Sequence, residues 1–192
     1  MVKTDRRVKK TRQQLRTHLA QMMCEKSIQE ITVKELVEKA DINRSTFYLH
    51  YSDIHQLLET LEQELLAEIV QVIDERNFST LDESSLLFLQ DILKVLANNL
   101  DICQALVGPN GDLAFVHKIE QLVANGYQQI ISTHLADKTN KIEYFHSYCL
   151  TGCVGLIKSW ILNGAKETPE EMANFAFSLI SNSIQKFVEE HS

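Results

Sequence analysis

Residues 31–58 read ITVKELVEKADINRSTFYLHYSDIHQLL, from Ile31 to Leu58. The spacing predicts two short helices, a tight turn between them and the opening of a longer helix. Thr32 is an N-cap, and Glu35 three residues on makes Thr32–Glu35 a capping box. Ile31 and Leu36 fall at the positions of a hydrophobic staple. Val33, Leu36, Val37 and Ala40 give one apolar face, so the first helix runs from about Val33 to Lys39. Asp41-Ile42 is the turn, and Asn43 caps the next helix. In so short a helix Phe47, with Ile42, faces inward. Arg44, Ser45, Thr46, Tyr48 and His50 share the exposed side.

This is the layout of a helix-turn-helix. Its second helix presents a cation, hydroxyls and a phenol, which suit base edges and phosphates in a major groove. The stretch resembles the DNA-binding signature of TetR/AcrR-type transcriptional regulators, and most of all a branch common in Gram-positive bacteria. Tyr48, His50 and Tyr51 match the aromatic segment with which that family opens its fourth helix. Two positions depart from the pattern. Asp41 stands where the family often has glycine. Ile54, with His55 beside it, stands where the family usually places a lysine that meets a phosphate.

The resemblance implies a dimeric, sequence-specific DNA-binding regulator, a repressor released by a small-molecule effector. It assigns Arg44 to a phosphate or guanine, and Ser45 and Thr46 to base edges or thymine methyls. Tyr48 and His50 would fix the helix on the backbone, with Lys34, Asn43, Tyr51 and His55 also at the DNA. Thr32 would offer its hydroxyl and its helix N-terminus to a phosphate. The partner is then double-stranded DNA with a palindromic operator.

Composition agrees. The 192 residues carry a net charge of -7, with two prolines and six glycines. Few breakers and long 3.6-residue patterns predict an all-α chain of about nine helices. Residues 1–52 hold 11 Lys/Arg against 6 Asp/Glu, whereas residues 53–192 hold 8 against 20. A basic head on an acidic body suits a protein that sets one end on a polyanion. Lys3, Arg6, Arg7, Lys9, Lys10 and Arg12 read as a flexible basic arm, with Lys9 and Lys10 supplying phosphate or minor-groove contacts. No apolar run is long enough to span a membrane, and no signal-peptide core follows the basic start. Four cysteines without disulfide-framework spacing point to a reduced, cytoplasmic protein. Cys24 reads as a core residue.

The head is expected over residues 1–58 and a dimerisation and effector body over 59–192. A long one-sided helix from Asp53 to about Arg76 crosses that boundary. Residues 77–80 form a linker. Further helices follow at about 82–99, 100–107, 113–136 and 140–162, with breaks at Gly108–Gly111 and Asn163-Gly164. Thr168-Pro169-Glu170-Glu171 opens the last helix, which runs to about Glu190.

In the resembled family the last two long helices pair across a two-fold axis. Here that implies an interface of Cys149, Gly152, Cys153, Leu156, Trp160, Phe175, Leu179 and Ser183. Phe88, Leu89, Ile92, Leu106, Phe115, Ile119, Tyr127, Tyr148 and Trp160 are candidates to line an effector site; each also reads as plain core. A partner protein in place of a small molecule is the other route such bodies use. His146, Cys149 and Cys153 share a helix face, but no further ligand lies at a metal-motif spacing, so no metal or cofactor is expected. There is no nucleophile elbow, phosphate loop or dinucleotide fingerprint, which argues against an enzyme. The alternative to a DNA-binding regulator is a co-regulator acting through protein partners with a vestigial head. Ile54 lends that reading its weight, and the intact Arg44–Tyr51 set opposes it.

Overall fold

The computed structural model describes residues 6–75, 83–122 and 141–191. Among these every regular element is helical: α1 (Arg6–Glu25), a 3-10 turn (Ile28–Glu30), α2 (Val33–Lys39), α3 (Arg44–Tyr48), α4 (Ile54–Asp74), α5 (Glu83–Asn98), α6 (Leu100–Val107), α7 (113–122), α8 (Ile142–Leu162) and α9 (Pro169–His191). The all-α class read from periodicity holds. The expected linker at 77–80, the second half of the expected 113–136 helix and Tyr127 lie outside the described residues.

The chain divides into two compact units. The first contains the described residues up to Leu65 together with Asn99–Phe115. In it α1 lies against α2 and α6, and α2 against α3. Leu15, Leu19, Met22 and Met23 of α1, Leu36 of α2, Phe47 of α3, Leu57 of α4 and Ile102 and Leu106 of α6 are almost wholly buried. Each such side chain contributes about 1.5–3 kcal/mol of burial, as an upper estimate. The basic start is not a flexible arm from Arg6 onward. Arg, Lys and Gln are good helix formers and no breaker interrupts them, so Arg6, Arg7, Lys9, Lys10 and Arg12 ride on α1.

Two polar ties hold this unit. Arg12 Nε donates to the Tyr51 hydroxyl at 3.2 Å, and Arg12 also pairs with Glu64 of α4. Arg16 donates to both carboxylate oxygens of Asp101 and to Asn99 Oδ1, linking α1 to α6. After α2 the chain turns through Asp41 at φ 52°, a left-handed conformation that Asp tolerates where the related pattern has glycine. Gly111 is required by space: a Cβ there would sit 1.9 Å from the Leu106 carbonyl oxygen.

The second unit contains Leu66–Asn98 and the described residues from Val116 onward. There α9 packs on α5 and α8, burying Leu93, Met172, Ala173, Ala176 and Ile184. Phe145 and Phe187 stack with centroids 4.3 Å apart. Gly164, at φ 86°, ends α8 where the sequence put the stop, and Ala165 N–H returns to the Trp160 carbonyl at 2.9 Å. The Thr168–Glu171 capping box forms as read: Thr168 N–H reaches the Glu171 carboxylate at 2.8 Å, and Glu171 N–H reaches Thr168 Oγ1 at 3.2 Å.

Candidate nucleic-acid interface

The helix-turn-helix is built by its caps. Thr32 Oγ1 accepts from Glu35 N–H at 3.2 Å, and the Glu35 carboxylate accepts from Thr32 N–H at 3.1 Å. Lys26 Nζ stands 3.0 Å from the same carboxylate. Together these hold Glu35 down to a pKa of about 2, the Lys26 hydrogen bond weighing most and the Thr32 backbone and hydroxyl next. Ile31 and Leu36 are both buried, which completes the staple. The Thr32 hydroxyl itself donates to Glu35 at 2.9 Å, so in this structure it has an intramolecular partner.

Asn43 caps α3. Its Oδ1 accepts from the Ser45 N–H at 2.9 Å and from the Ser45 hydroxyl at 2.8 Å. Phe47 is wholly buried, with the Tyr51 ring 5.8 Å away and the Tyr48 ring edge-on at 5.5 Å. That anchor turns Arg44, Ser45 and Tyr48 to solvent, while Thr46 and His50 are half-buried. Arg44 Nη2 donates to the Tyr48 hydroxyl at 3.1 Å, and its guanidinium carbon lies 5.5 Å from the Tyr48 ring centroid. The exposed cation is thus held by a neighbour one turn away.

Lys9, Lys10, Lys34 and His55 are also exposed. Tyr51 differs from the others. It is 5% exposed, with its hydroxyl taken by Arg12, so its ring serves the core of the unit. Ile54 is buried as well, an apolar residue closing the core where the resembled pattern carries a cation. Asp53 caps α4 by accepting from Gln56 N–H at 2.8 Å, a bond that keeps its carboxyl below the usual range. Sequence reading passed over Leu49, the C-cap of α3, which is 79% exposed.

In the second unit the residues proposed to pair between protomers divide. Cys149 and Trp160 are buried within the chain, and Trp160 Nε1 donates to the Glu167 carbonyl at 3.1 Å. Phe175 and Leu179, one turn apart on α9, are half exposed, and Tyr148 of α8 is 68% exposed. A groove of about 290 Å³ runs between α8 and α9, lined by Cys149, Gly152, Cys153, Leu156, Leu179 and Ser183 among others. A Cβ added at Gly152 or Gly155 would meet nothing within 4 Å.

The effector candidates divide between the two units. Leu106 and Phe115 are buried in the first unit; Phe88, Ile92, Ile119, Tyr148 and Trp160 belong to the second. Of these Ile92 and Trp160 are buried, Phe88 and Ile119 half-buried. Among the described residues no group of three or more His, Cys, Asp or Glu side chains is placed to hold a metal. Burial pushes the Cys153 thiol up to about 11, far from thiolate reactivity at neutral pH. Cys24, expected in the core, is exposed.

Comparison with known proteins adds to this geometry. A TetR-type family described as "Transcriptional regulator C-terminal region" matches residues 83–182, just over half of the chain. The HTH-type transcriptional regulator YxbF of Bacillus subtilis (strain 168) is 28% identical over 174 residues. That match covers 88% of this chain and 44% of YxbF, so the chain spans less than half the length of that relative. A TetR-family transcriptional regulator from Syntrophomonas wolfei superposes with a TM-score of 0.63 at 17% identity, over 92% of this chain and 96% of the other. FadR from Bacillus subtilis, solved in complex with stearoyl-CoA, superposes at 0.56 with 16% identity, over 88% and 96%. At those identities the two structures establish the fold. Among the described residues no helix is long and apolar enough to cross a membrane.

Proposed function

Because the chain belongs to the TetR family of transcriptional regulators, we propose that it binds a palindromic DNA operator as a homodimer and represses transcription until an effector releases it. The observation that carries the reading is the outer face of α3. Wholly buried Phe47 fixes the helix, and Arg44, Ser45 and Tyr48 stand in solvent, with the cation already held by Tyr48. A donor fork pre-set on an exposed short helix suits guanine or phosphate in a major groove. Lys9, Lys10 and Lys34, exposed in the same unit, supply the sequence-independent grip.

In this reading residues 1–58 form the head and 59–192 the body. The body dimerises through α8 and α9. Tyr148, Phe175 and Leu179 leave apolar surface open there, and Gly152 leaves room for a second helix to approach. Two-fold pairing brings two copies of α3 to half-sites spaced by helical turns of DNA. The body is also where a small-molecule effector acts; the fold it shares with FadR, solved with stearoyl-CoA, supports that. No enzymatic step is involved.

The test is selection from random duplexes with the full chain, followed by titration onto the enriched sequence. Convergence on an inverted repeat supports the reading. Recovery of no preferred sequence at any salt contradicts it.

A further inference from the structure

The outermost line of α3 is not polar along its length. Successive residues of a helix turn by about 100°, so with Phe47 set inward at zero, Ser45 falls near 160° and Leu49 near 200°. These two residues, one turn apart, form the ridge opposite the buried anchor. Arg44 and Tyr48 lie on one flank and Thr46 on the other. Burial follows the same geometry: Phe47 is 0% exposed, Thr46 half-buried and Leu49 79% exposed. Leu49 keeps the helical register, with φ -70° and ψ -20°, and its N–H donates to the Ser45 carbonyl at 3.2 Å.

A leucine on that ridge gains nothing from water and can neither donate nor accept a hydrogen bond. Single exposed leucines are common on protein surfaces, but this one sits at the centre of the face offered to DNA. The polar edge of a major groove presents one apolar group, the C5 methyl of thymine. Burying the Leu49 side chain against a polar base edge would strand a donor or acceptor, whereas burying it against that methyl costs no hydrogen bond. Ser45 on the same ridge has its hydroxyl turned to Asn43 Oδ1, which leaves Leu49 as the ridge residue with the larger reach.

We propose that Leu49 is a specificity-determining residue that reads a thymine methyl in each half-site of the operator. The assignment rests on the DNA-binding reading above. It makes the apolar contact at the ridge, and the Arg44–Tyr48 pair on the flank, two separate contributions to sequence choice.

The test uses the full-length chain and the duplex selected above, with each thymine replaced singly by deoxyuridine, which removes only the methyl. The expected result is one thymine per half-site whose replacement weakens wild-type binding about fourfold, the scale of one methyl leaving an apolar contact. Leu49→Ala, at an exposed position, should fold normally and bind the unmodified duplex more weakly. It should lose less than twofold on the same replacement, so that protein and base changes are coupled. A selected duplex indifferent to all its thymine methyls, or a wild type and Leu49→Ala that respond alike, would overturn the assignment while leaving DNA binding intact. Failure to select any duplex would overturn the DNA-binding reading and this assignment with it.

Discussion

Arg16 of α1 and Asp101 of α6 meet as a fork on a carboxylate, Nη2 at 2.9 Å from one oxygen and Nε at 3.4 Å from the other. The same Nη2 donates to Asn99 Oδ1 at 2.7 Å. The two helices are separated by more than seventy residues of chain, so this tie and the apolar contact beneath it bring α6 into the N-terminal unit. Both side chains are partly shielded from solvent. Asp101→Ala should therefore destabilise the protein by about 1 kcal/mol, at the upper end for a partly exposed pair. Urea unfolding of the two proteins measures the difference; identical midpoints would show that apolar packing alone holds α6.

The caps of the reading head give a pH-dependent prediction. Glu35 titrates at about 2 in the folded protein, chiefly because Lys26 and Thr32 bond its charged form, against about 4.5 when unfolded. A depressed carboxylate contributes stability that is fully present above about pH 4.5 and is lost as the pH falls toward 2. The gap in thermal midpoint between wild type and Glu35→Gln should be widest near neutrality and close on acidification. A gap that stays constant from pH 7 to pH 3 would remove the Lys26–Glu35–Thr32 arrangement as its source. Thr32→Ala, which deletes the cap itself, should cost about 1 kcal/mol across that range.

Arg44 and Lys10 should fail differently. Arg44→Ala should weaken binding to the selected duplex and relax its sequence preference. Lys10→Ala should weaken all DNA alike and flatten the salt dependence by about one unit of slope. Tyr48→Phe keeps the ring and removes the hydroxyl that accepts from Arg44, so it should fall between wild type and Arg44→Ala. Titrations of the three variants on selected and scrambled duplexes separate the outcomes. Equal operator binding by wild type and Arg44→Ala would contradict the role given to the guanidinium.

Gly152 provides a clean lesion for assembly. A Cβ there meets nothing within 4 Å in the protomer, and leucine is a better helix former than glycine by roughly 0.5–1 kcal/mol. Gly152→Leu should leave helicity and the protomer's fold unchanged while weakening the dimer and, through it, operator affinity. Light scattering behind size exclusion reads the mass. A variant that stays dimeric at low micromolar concentration would place the interface elsewhere.

What could be read in advance was local. Capping boxes at Thr32 and Thr168, the Gly164 stop and the period of each apolar stripe all depend on residues three or four apart, and they stand in the structure as written. What could not be read depends on distance or direction. Nothing in the sequence joins α1 to α6, because Arg16 and Asp101 become neighbours only after the core forms. Tyr51 was placed at the DNA by its motif, yet its ring closes the core and its hydroxyl binds Arg12. Leu49 was overlooked for the opposite reason. With Phe47 set inward it falls on the exposed side, but it carries no donor, acceptor or charge to mark it in the sequence as a DNA contact. The residues proposed to line an effector site are apolar and mid-helix, a description that fits core equally well, and they divide between the two units.

The most direct measurement is the salt dependence of binding to the selected duplex beside a scrambled one. The account predicts tight, sequence-selective binding whose logarithmic affinity falls linearly with the logarithm of salt concentration, with a slope of about 0.9 per phosphate contact. It also predicts a preference for the selected duplex that Arg44→Ala diminishes. Weak binding, equal on both duplexes and indifferent to Arg44, would contradict it.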